Sequence, residues 1–262
     1  MLLLVGLDNL GKGGLLDIRH TMRLDEALVE LGYCNSLSEA KAVIMAGKVI
    51  VNDQRVDKPG VKVGPKDEVR IKDSKEFVSR GGLKLHRAIE DFGVGARFAD
   101  AVVLDAGAST GGFTDCCLKL GAQKVIAVDV GTNQLDWSLR QHPKVLVKEQ
   151  TDIRCLGLAD VGVLDFIVAD LSFIGLAQVL PGLVALASLQ TELILLVKPQ
   201  FELPSADVPK GGVVTSDDDR QKAVANILEI LEQLGFSESS VADSRLAGRT
   251  GNVEIFVRAW RS

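Results

Sequence analysis

From residue 101 onward the sequence alternates between short apolar runs and helical patterns, and this alternation limits the fold more than any other feature. Continuous apolar runs between helices are typical of buried parallel strands with helices on both faces of the sheet. We therefore predict an α/β domain built on a mostly parallel sheet, with the last two strands, near SSVADS and VEIFVRA, paired as a hairpin at one edge. The clearest of the other runs are AVVLDAG (101–107), KVIAVDV (124–130), FIVAD (166–170) and ELILLV (192–197).

Residues 176–197 are apolar enough to resemble a membrane helix at first inspection. Pro181, Gln190 and Glu192 interrupt the run, and a membrane span needs about 20 consecutive apolar residues. We predict a helix followed by a buried strand instead.

A different pattern occupies residues 22–71. Apolar positions at helical spacing run from residue 22 to Gly32, and a second helix follows that Ser36 or Ser38 can cap. Two short strands joined by an Asn-Asp turn come next. We predict a small α+β domain over 22–72, a linker over 73–82 and the larger α/β domain over 83–262.

The first 21 residues match neither pattern. They contain a short apolar run and several glycines, without the ordered parts of a signal peptide. We expect residues 1–21 to be a loose extension, or the product of an upstream start codon.

Charge is distributed unevenly between these regions. The chain has a net charge of −5, yet residues 22–87 hold 13 Lys and Arg against 10 Asp and Glu. Such an imbalance only slightly favours a nucleic-acid partner for the first domain. The four cysteines form no CxxC pair, so we expect reduced thiols, no metal and a cytoplasmic location.

The segment VVLDAGASTGGFTD (102–115) is the strongest candidate for a ligand-binding loop. An apolar strand ends in Asp105, and a glycine-rich turn then opens a helix, which in such sheets lies where ligands bind. Gly107 is followed by Ala-Ser-Thr, so the G-x-G-x-x-G pattern of dinucleotide sites is incomplete. Asp129 ends the next strand and can accept hydrogen bonds from ribose hydroxyls, but this suits both NAD and S-adenosylmethionine, and a strand-end acid can also be a simple cap.

Taken together, the motifs resemble a known family. Residues 22–71 resemble an S4 RNA-binding domain, and residues 79–258 resemble the FtsJ-type ribose 2′-O-methyltransferases, in particular the TlyA branch, long described as haemolysins. The resemblance implies a Rossmann-like methyltransferase domain with a seven-stranded sheet. It is based on RLDEAL (23–28), SLSEAKAVIMAGKVIVN (36–52), KPGVKV (58–63), SRGGLKL (79–85), LDAGASTGGFTD (104–115), VDVG (128–131), ADLSFI (169–174), VKPQFE (197–202) and GNVEIF (251–256).

The resemblance also implies a catalytic tetrad of Lys84, Asp170, Lys198 and Glu254. A ribose 2′-hydroxyl is a weak nucleophile at neutral pH, and a lysine beside it can polarise it or take its proton. Lys198 is the lysine expected in this role, and the remaining three side chains would orient Lys198 and balance its charge. Single strand-end charges are usually only solvated, but four that meet at one end of the sheet are less easily explained in that way.

We expect S-adenosylmethionine as the cofactor and ribosomal RNA or ribosomal subunits as the partner. Many FtsJ relatives carry Pro-Gly-Gly in the cofactor loop, where this chain has Ser-Thr-Gly-Gly, as in the TlyA branch. The expected cofactor contacts are Asp105, Gly107, Ser109, Gly111, Gly112, Phe113, Asp129, Val130, Asp152 and Asp170. The expected RNA contacts are Arg23, Lys41, Lys48, Lys58, Arg80 and Arg87.

Two other functions remain open at this point. The family's haemolysin name suggests a membrane-damaging cytolysin, although the sequence offers no membrane span or strongly amphipathic basic helix. A non-catalytic RNA-binding protein that retains the fold is the other, and the complete tetrad argues against it.

Overall fold

The computed structural model describes residues 18, 20–34, 36–71, 76–248 and 251–262. The chain divides into two compact units, Met1–Ser74 and Lys75–Ser262. Each unit has its own hydrophobic core and is described separately.

The described residues of the first unit form a small α+β domain with two helices and two short sheets. Strands β1 and β4 pair antiparallel, and β2 lies between β3 and β5 in a second antiparallel sheet. The elements are β1 (Met22–Arg23), α1 (Leu24–Glu30), α2 (Leu37–Met45), β2 (Val49–Val51), β3 (Gln54–Val56), β4 (Lys62–Val63) and β5 (Val69–Ile71).

Local sequence explains where these elements begin and turn. The Ser36 side chain accepts a hydrogen bond of 3.2 Å from the Glu39 N–H and so caps α2. Asn52 and Asp53 both have positive φ angles, 49° and 63°, which is the backbone of a two-residue hairpin turn between β2 and β3. The predicted helices and hairpin are therefore confirmed.

The core of this unit begins earlier than we expected. Ile18 is 4% exposed and packs with Leu24, Leu28 and Ile44. The expectation of a loose segment is therefore wrong for Ile18, because its side chain fills part of the core. The rest of that expectation, residues 1–17 and 19, lies outside the described residues.

The second unit has seven strands and seven α-helices among its described residues. The strands are β6 (Val102–Ala106), β7 (Lys124–Val128), β8 (Val145–Lys148), β9 (Phe166–Ala169), β10 (Glu192–Val197), β11 (Glu238–Asp243) and β12 (Ile255–Trp260). The α-helices are α3 (Arg80–Phe92), α4 (Gly112–Lys119), α5 (Trp137–Arg140), α6 (Leu158–Val161), α7 (Leu180–Ala185), α8 (Pro199–Glu202) and α9 (Asp217–Gln233), of which α5, α6 and α8 are single turns.

The seven strands form one sheet in the order β11-β12-β10-β9-β6-β7-β8. Strands β8, β7, β6, β9 and β10 are parallel, and β12 runs antiparallel to both β10 and β11. The predicted mostly parallel sheet and the terminal hairpin are confirmed. The carboxyl ends of β6, β7, β9 and β10 meet at one edge, which is where the polar motifs lie.

Alternate residues of each central strand pack on opposite faces of the sheet. Leu104, Ile167 and Leu195 belong to the core beneath α7 and α9, whereas Val103 and Phe166 belong to the core beneath α3 and α4. Burial on both faces explains why these strands are apolar throughout rather than alternating.

Two details concern the expected boundaries. Residues 176–197 form a short 3₁₀ turn, α7 and β10, as predicted, and no helix within the described part of the chain is long and apolar enough to cross a membrane. The expected linker ended at residue 82, but α3 already begins at Arg80, capped by the Ser79 side chain, so Arg80–Gly82 belong to a helix.

Candidate active site

The loop after β6 is built around Gly107. Its backbone has φ +82°, and its N–H donates to the Val128 carbonyl at 2.9 Å. A Cβ at this position would lie 2.7 Å from the Asp170 carbonyl oxygen, a distance that real Cβ atoms do not adopt. Gly107 is therefore required by the contact between the loops after β6 and β9, in addition to any space that it leaves for a ligand.

The helices that flank this loop also approach each other closely. A Cβ on Gly112, the first residue of α4, would lie 2.7 Å from the Gly82 backbone nitrogen in α3. Gly82 and Gly112 thus allow the N-termini of α3 and α4 to approach each other beside the loop. Phe113, an expected cofactor contact, has a buried side chain that stacks with Phe256 in the core at 6.2 Å between ring centroids.

Asp129, at the end of β7, is held by two backbone donors. Its carboxylate accepts from the Ser109 N–H at 2.8 Å and from the Gly131 N–H at 2.7 Å. A carboxylate has about four acceptor sites, so Asp129 retains capacity for two ribose hydroxyls. The bond from Ser109 fixes the loop after β6 to the loop after β7. Gly111, with φ +97°, precedes α4 at the end of that first loop.

Two other expected contacts follow strands β7 and β8. The Val130 side chain is exposed. Asp152 forms a bidentate ion pair with Arg154, whose side-chain hydrogen bonds hold the pKa of the Asp152 carboxyl at about 2. A ligand that uses the Asp152 carboxylate would have to share it with Arg154.

Asp105 is fully buried, although it lies near the same edge of the sheet. Its Oδ2 accepts a 2.6 Å hydrogen bond from the Thr114 hydroxyl, and Oδ1 has no hydrogen-bond partner among the described residues. The pKa of Asp105 is raised to about 7, mainly by burial and in smaller part by the negative charges of Asp170 and Asp129.

This raised pKa gives a testable dependence of stability on pH. The folded protein holds the Asp105 proton up to about pH 7, whereas the unfolded chain releases it near pH 3.8. Stability contributed by this group therefore falls between about pH 4 and pH 7 and is constant above. We expect Asp105→Asn to gain about 3 kcal/mol of unfolding free energy relative to wild type between pH 5 and pH 7. Urea unfolding of both proteins at several pH values measures this, and a pH-independent difference would contradict it.

Lys198 follows β10 and lies beside Asp170, which follows β9. The Lys198 Nζ is 2.5 Å from the Asp170 Oδ1 and donates a 2.8 Å hydrogen bond to the Ser172 hydroxyl. The Lys198 side chain is only 10% exposed. The parallel register of β9 and β10 explains why Lys198 and Asp170 lie close together, because Ala169 pairs with Leu195 near the carboxyl ends of these two strands.

Lys84 and Glu254 form a second ion pair. Both side chains are buried, and the Lys84 ammonium donates to Glu254 Oε2. Ile255 pairs with Val197 in the sheet, so continuation of this register places Glu254 opposite Lys198. The four residues expected to act together thus form two ion pairs, Asp170 with Lys198 after β9 and β10, and Lys84 of α3 with Glu254 just before β12.

The basic residues expected to contact RNA in the first unit differ in whether they already form an ion pair. The Arg23 guanidinium forms two hydrogen bonds of 2.9 Å with the Asp25 carboxylate. The side chains of Lys41, Lys48 and Lys58 are exposed and form no ion pair with any described residue. The charges of these three lysines are therefore available to contact phosphate.

In the second unit, the two expected RNA contacts on α3 have intramolecular partners. Arg80 donates to the Ala247 carbonyl at 2.7 Å, and Arg87 forms an ion pair with Glu90 at 3.1 Å. Both arginines are at least partly exposed, so each retains donors for a phosphate.

Three residues of the site were missed by the sequence analysis. Ser172 contacts Lys198, Thr114 contacts Asp105, and Glu149 accepts the N–H groups of the loop after β7 together with the Arg140 guanidinium. Ser172 and Thr114 lie inside motifs that were recognised, so the sequence already indicated that they are close to the site. Nothing in the sequence distinguishes Glu149 from other strand-end acids.

The fold and the loop at its edge define a class, the Rossmann-like methyltransferases, whose sheet has this mostly parallel order. Residues 77–261 match the FtsJ-like methyltransferase family and residues 22–69 match the S4 domain. The chain belongs to the FtsJ-like methyltransferase family and carries an S4 domain before the catalytic unit.

Individual relatives agree with this assignment. The chain is 42% identical over 90% of its length to the 16S/23S rRNA (cytidine-2′-O)-methyltransferase TlyA of Mycobacterium tuberculosis, covering 88% of that protein. It is 37% identical over 89% of its length to Hemolysin A of Brachyspira hyodysenteriae, covering 97% of it. A solved structure of a candidate hemolysin from Streptococcus thermophilus is 36% identical, with a TM-score of 0.69 over 93% of this chain and 89% of that one.

Proposed function

We propose that this protein transfers a methyl group from S-adenosylmethionine to ribose 2′-hydroxyls of ribosomal RNA. The observation that carries the proposal is the Lys198–Asp170 ion pair at the strand ends beside the Gly107 loop. The curated activity of the TlyA relative, which shares the domains of this chain, supports the same reaction.

The acidic residues around the loop fit this cofactor better than a dinucleotide. Asp129, Asp152 and Asp170 lie at or near this edge of the sheet. The pyrophosphate of NAD would meet negative charge there, whereas the sulfonium and ammonium groups of S-adenosylmethionine would be attracted to it. When bound, this cofactor supplies an electrophilic methyl group and a sulfide leaving group.

The side chains at the strand ends then have distinct tasks. Once Lys198 has released its own proton, its neutral amine would polarise the 2′-hydroxyl and take the proton of that hydroxyl as the oxygen attacks the methyl group that the cofactor would supply. Asp170 balances the positive charge that Lys198 gains. The Lys84–Glu254 pair fixes the start of β12 next to Lys198. Close positioning of the reactants supplies the remaining rate enhancement.

A direct test uses labelled S-adenosylmethionine and ribosomal RNA from cells that lack the enzyme. We expect the wild-type protein to incorporate label into this RNA and not into RNA that has already been fully modified. Absence of incorporation into ribosomal RNA and into intact subunits would contradict the proposal, and so would tighter binding of NAD than of S-adenosylmethionine.

Asp129→Asn tests the proposed ribose contact. The amide oxygen can still accept one backbone N–H, but the charge that attracts the ribose hydroxyls is lost, since hydrogen bonds to charged groups contribute about 1.5–3 kcal/mol. We expect the dissociation constant for S-adenosylmethionine to rise by at least tenfold in calorimetry. Asp152→Asn, whose carboxylate is shared with Arg154, should have a smaller effect.

The proposed RNA contacts of the first unit are tested by salt dependence. Replacing Lys41, Lys48 and Lys58 with Gln should weaken binding to ribosomal RNA and reduce the slope of log affinity against log salt by about two to three. Arg23→Gln is the informative comparison, because Arg23 is already paired with Asp25. A slope that falls for Arg23→Gln but not for the triple variant would contradict this assignment.

A further inference from the structure

Lys198 has two neighbours, and they hold it in different ways. The Asp170 Oδ1 is close enough for an ion pair, 2.5 Å from Nζ, but no donor among the described residues reaches this oxygen with hydrogen-bonding angles. The Ser172 hydroxyl accepts a 2.8 Å bond from the same Nζ within those angles. Asp170 therefore supplies charge, while Ser172 supplies direction.

Direction matters because a lysine side chain is flexible. Its Nζ ends a four-carbon stem and carries up to three hydrogens that rotate together. A single ion pair leaves this rotation free, whereas a second contact with defined angles restricts it. No other described residue hydrogen-bonds to the Lys198 Nζ, so one direction remains for the oxygen of a substrate.

The loop that carries Ser172 is itself anchored to the segment that carries Lys198. The Glu202 carboxylate in α8 accepts the Leu176 N–H at 2.6 Å and the Ala177 N–H at 3.3 Å. Helix α8 begins immediately after Lys198. The backbone between Ser172 and these bonds is constrained further by Phe173, whose φ of +67° is unusual for a residue other than glycine.

We propose that Ser172 is a positioning residue for Lys198, whose hydroxyl orients the lysine amine towards the attacking 2′-oxygen. This inference rests on the proposed function, because it deepens the role given to Lys198. It predicts that Ser172 acts on the rate of transfer and not on the binding of either substrate.

The first experiment compares Ser172→Ala with Ser172→Thr in methyl transfer to ribosomal RNA. We expect Ser172→Ala to lower kcat by about tenfold or more, as for loss of a hydrogen bond to a charged group, with both KM values within twofold of wild type. Ser172→Thr keeps a hydroxyl and should remain within threefold of the wild-type kcat. Ser239→Ala, which removes an exposed hydroxyl from edge strand β11, is the matched control and should have no effect.

Two outcomes of this experiment would overturn the inference. A wild-type kcat for Ser172→Ala would show that the hydroxyl is not needed. Equal loss in Ser172→Ala and Ser172→Thr would show that the shape of the loop matters and the hydroxyl does not.

A second measurement does not require RNA methylation. Acetic anhydride labels accessible lysine amines, and mass spectrometry reports the rate for each peptide. We expect Lys198 to be acetylated several-fold faster in Ser172→Ala than in wild type and in Ser172→Thr, while other lysines are unchanged. Equal rates at Lys198 in all three proteins would overturn the inference. If wild-type protein fails to methylate ribosomal RNA, the proposed function falls, and the labelling rates still decide whether Ser172 holds Lys198.

Discussion

Lys198→Ala is expected to lower the single-turnover rate of methyl transfer by at least two orders of magnitude. Proton transfer to a positioned base contributes about 10²–10⁴-fold to a reaction of this kind, and the described side chains around Asp170 offer no second amine that contacts its carboxylate. The measurement is transfer to ribosomal RNA with saturating cofactor, so that binding does not limit the rate.

Arginine provides the control for this prediction. Lys198→Arg keeps the positive charge and the contact with Asp170, but a guanidinium stays protonated and cannot accept the 2′-hydroxyl proton. We expect it to be nearly as inactive as Lys198→Ala, with cofactor affinity within a few-fold of wild type in calorimetry. A near wild-type single-turnover rate in Lys198→Ala would exclude Lys198 as the base.

The second large effect concerns stability. Removal of one member of the buried Lys84–Glu254 pair leaves the other charge buried and unpaired, which costs about 3–5 kcal/mol. We expect Lys84→Ala and Glu254→Ala each to lose this much unfolding free energy in urea titrations. The double variant Lys84→Met with Glu254→Met should be more stable than either single variant, because it buries no unpaired charge.

This second prediction changes how activity losses at the two positions are interpreted. From the sequence, we expected Lys84 and Glu254 to orient Lys198 and to balance its charge. Because both side chains are buried, the effect of each substitution on stability must be measured before a loss of activity is assigned to catalysis. If both single variants unfold at wild-type urea concentrations, the pair contributes no stability and activity losses there can be assigned to catalysis directly.

The strands and most helices could be predicted because their patterns have one simple physical cause. Strands such as β9 and β10 are buried on both faces, so every residue in them is apolar. Helix α2 carries its own cap in Ser36. The short helices α6 and α8 were missed because four residues are too few to show a helical period.

The boundary at the start of the chain could not be predicted for a different reason. Ile18 lies in the segment LLDIRH (15–20), which shows no periodic apolar pattern, and its burial depends on a core formed by residues that follow it. Similarly, Arg80–Gly82 contain two glycines and suggested a linker. In the structure these glycines allow α3 to approach α4 closely, a contact between segments about 30 residues apart that local pattern does not reveal.

The candidate site was predictable in its residue types but not in its contacts. Motif order indicated that Asp170 and Lys198 lie at neighbouring strand ends. It did not indicate that Arg23 is neutralised by Asp25, that Asp152 is held by Arg154, or that Phe113 is part of the core. Each of these depends on side-chain geometry within a few ångströms, which motif spacing does not fix.

The proposed function requires Lys198 to act as the base for methyl transfer to a ribose 2′-oxygen of ribosomal RNA. The most direct measurement is mass spectrometry of nucleosides and oligonucleotides from ribosomal RNA treated with wild-type protein or with Lys198→Ala. We predict a 2′-O-methylated nucleoside at one or a few positions after wild-type treatment, and none after treatment with the variant. A methyl group on a base instead of a ribose, or equal ribose methylation by both proteins, would contradict the claim.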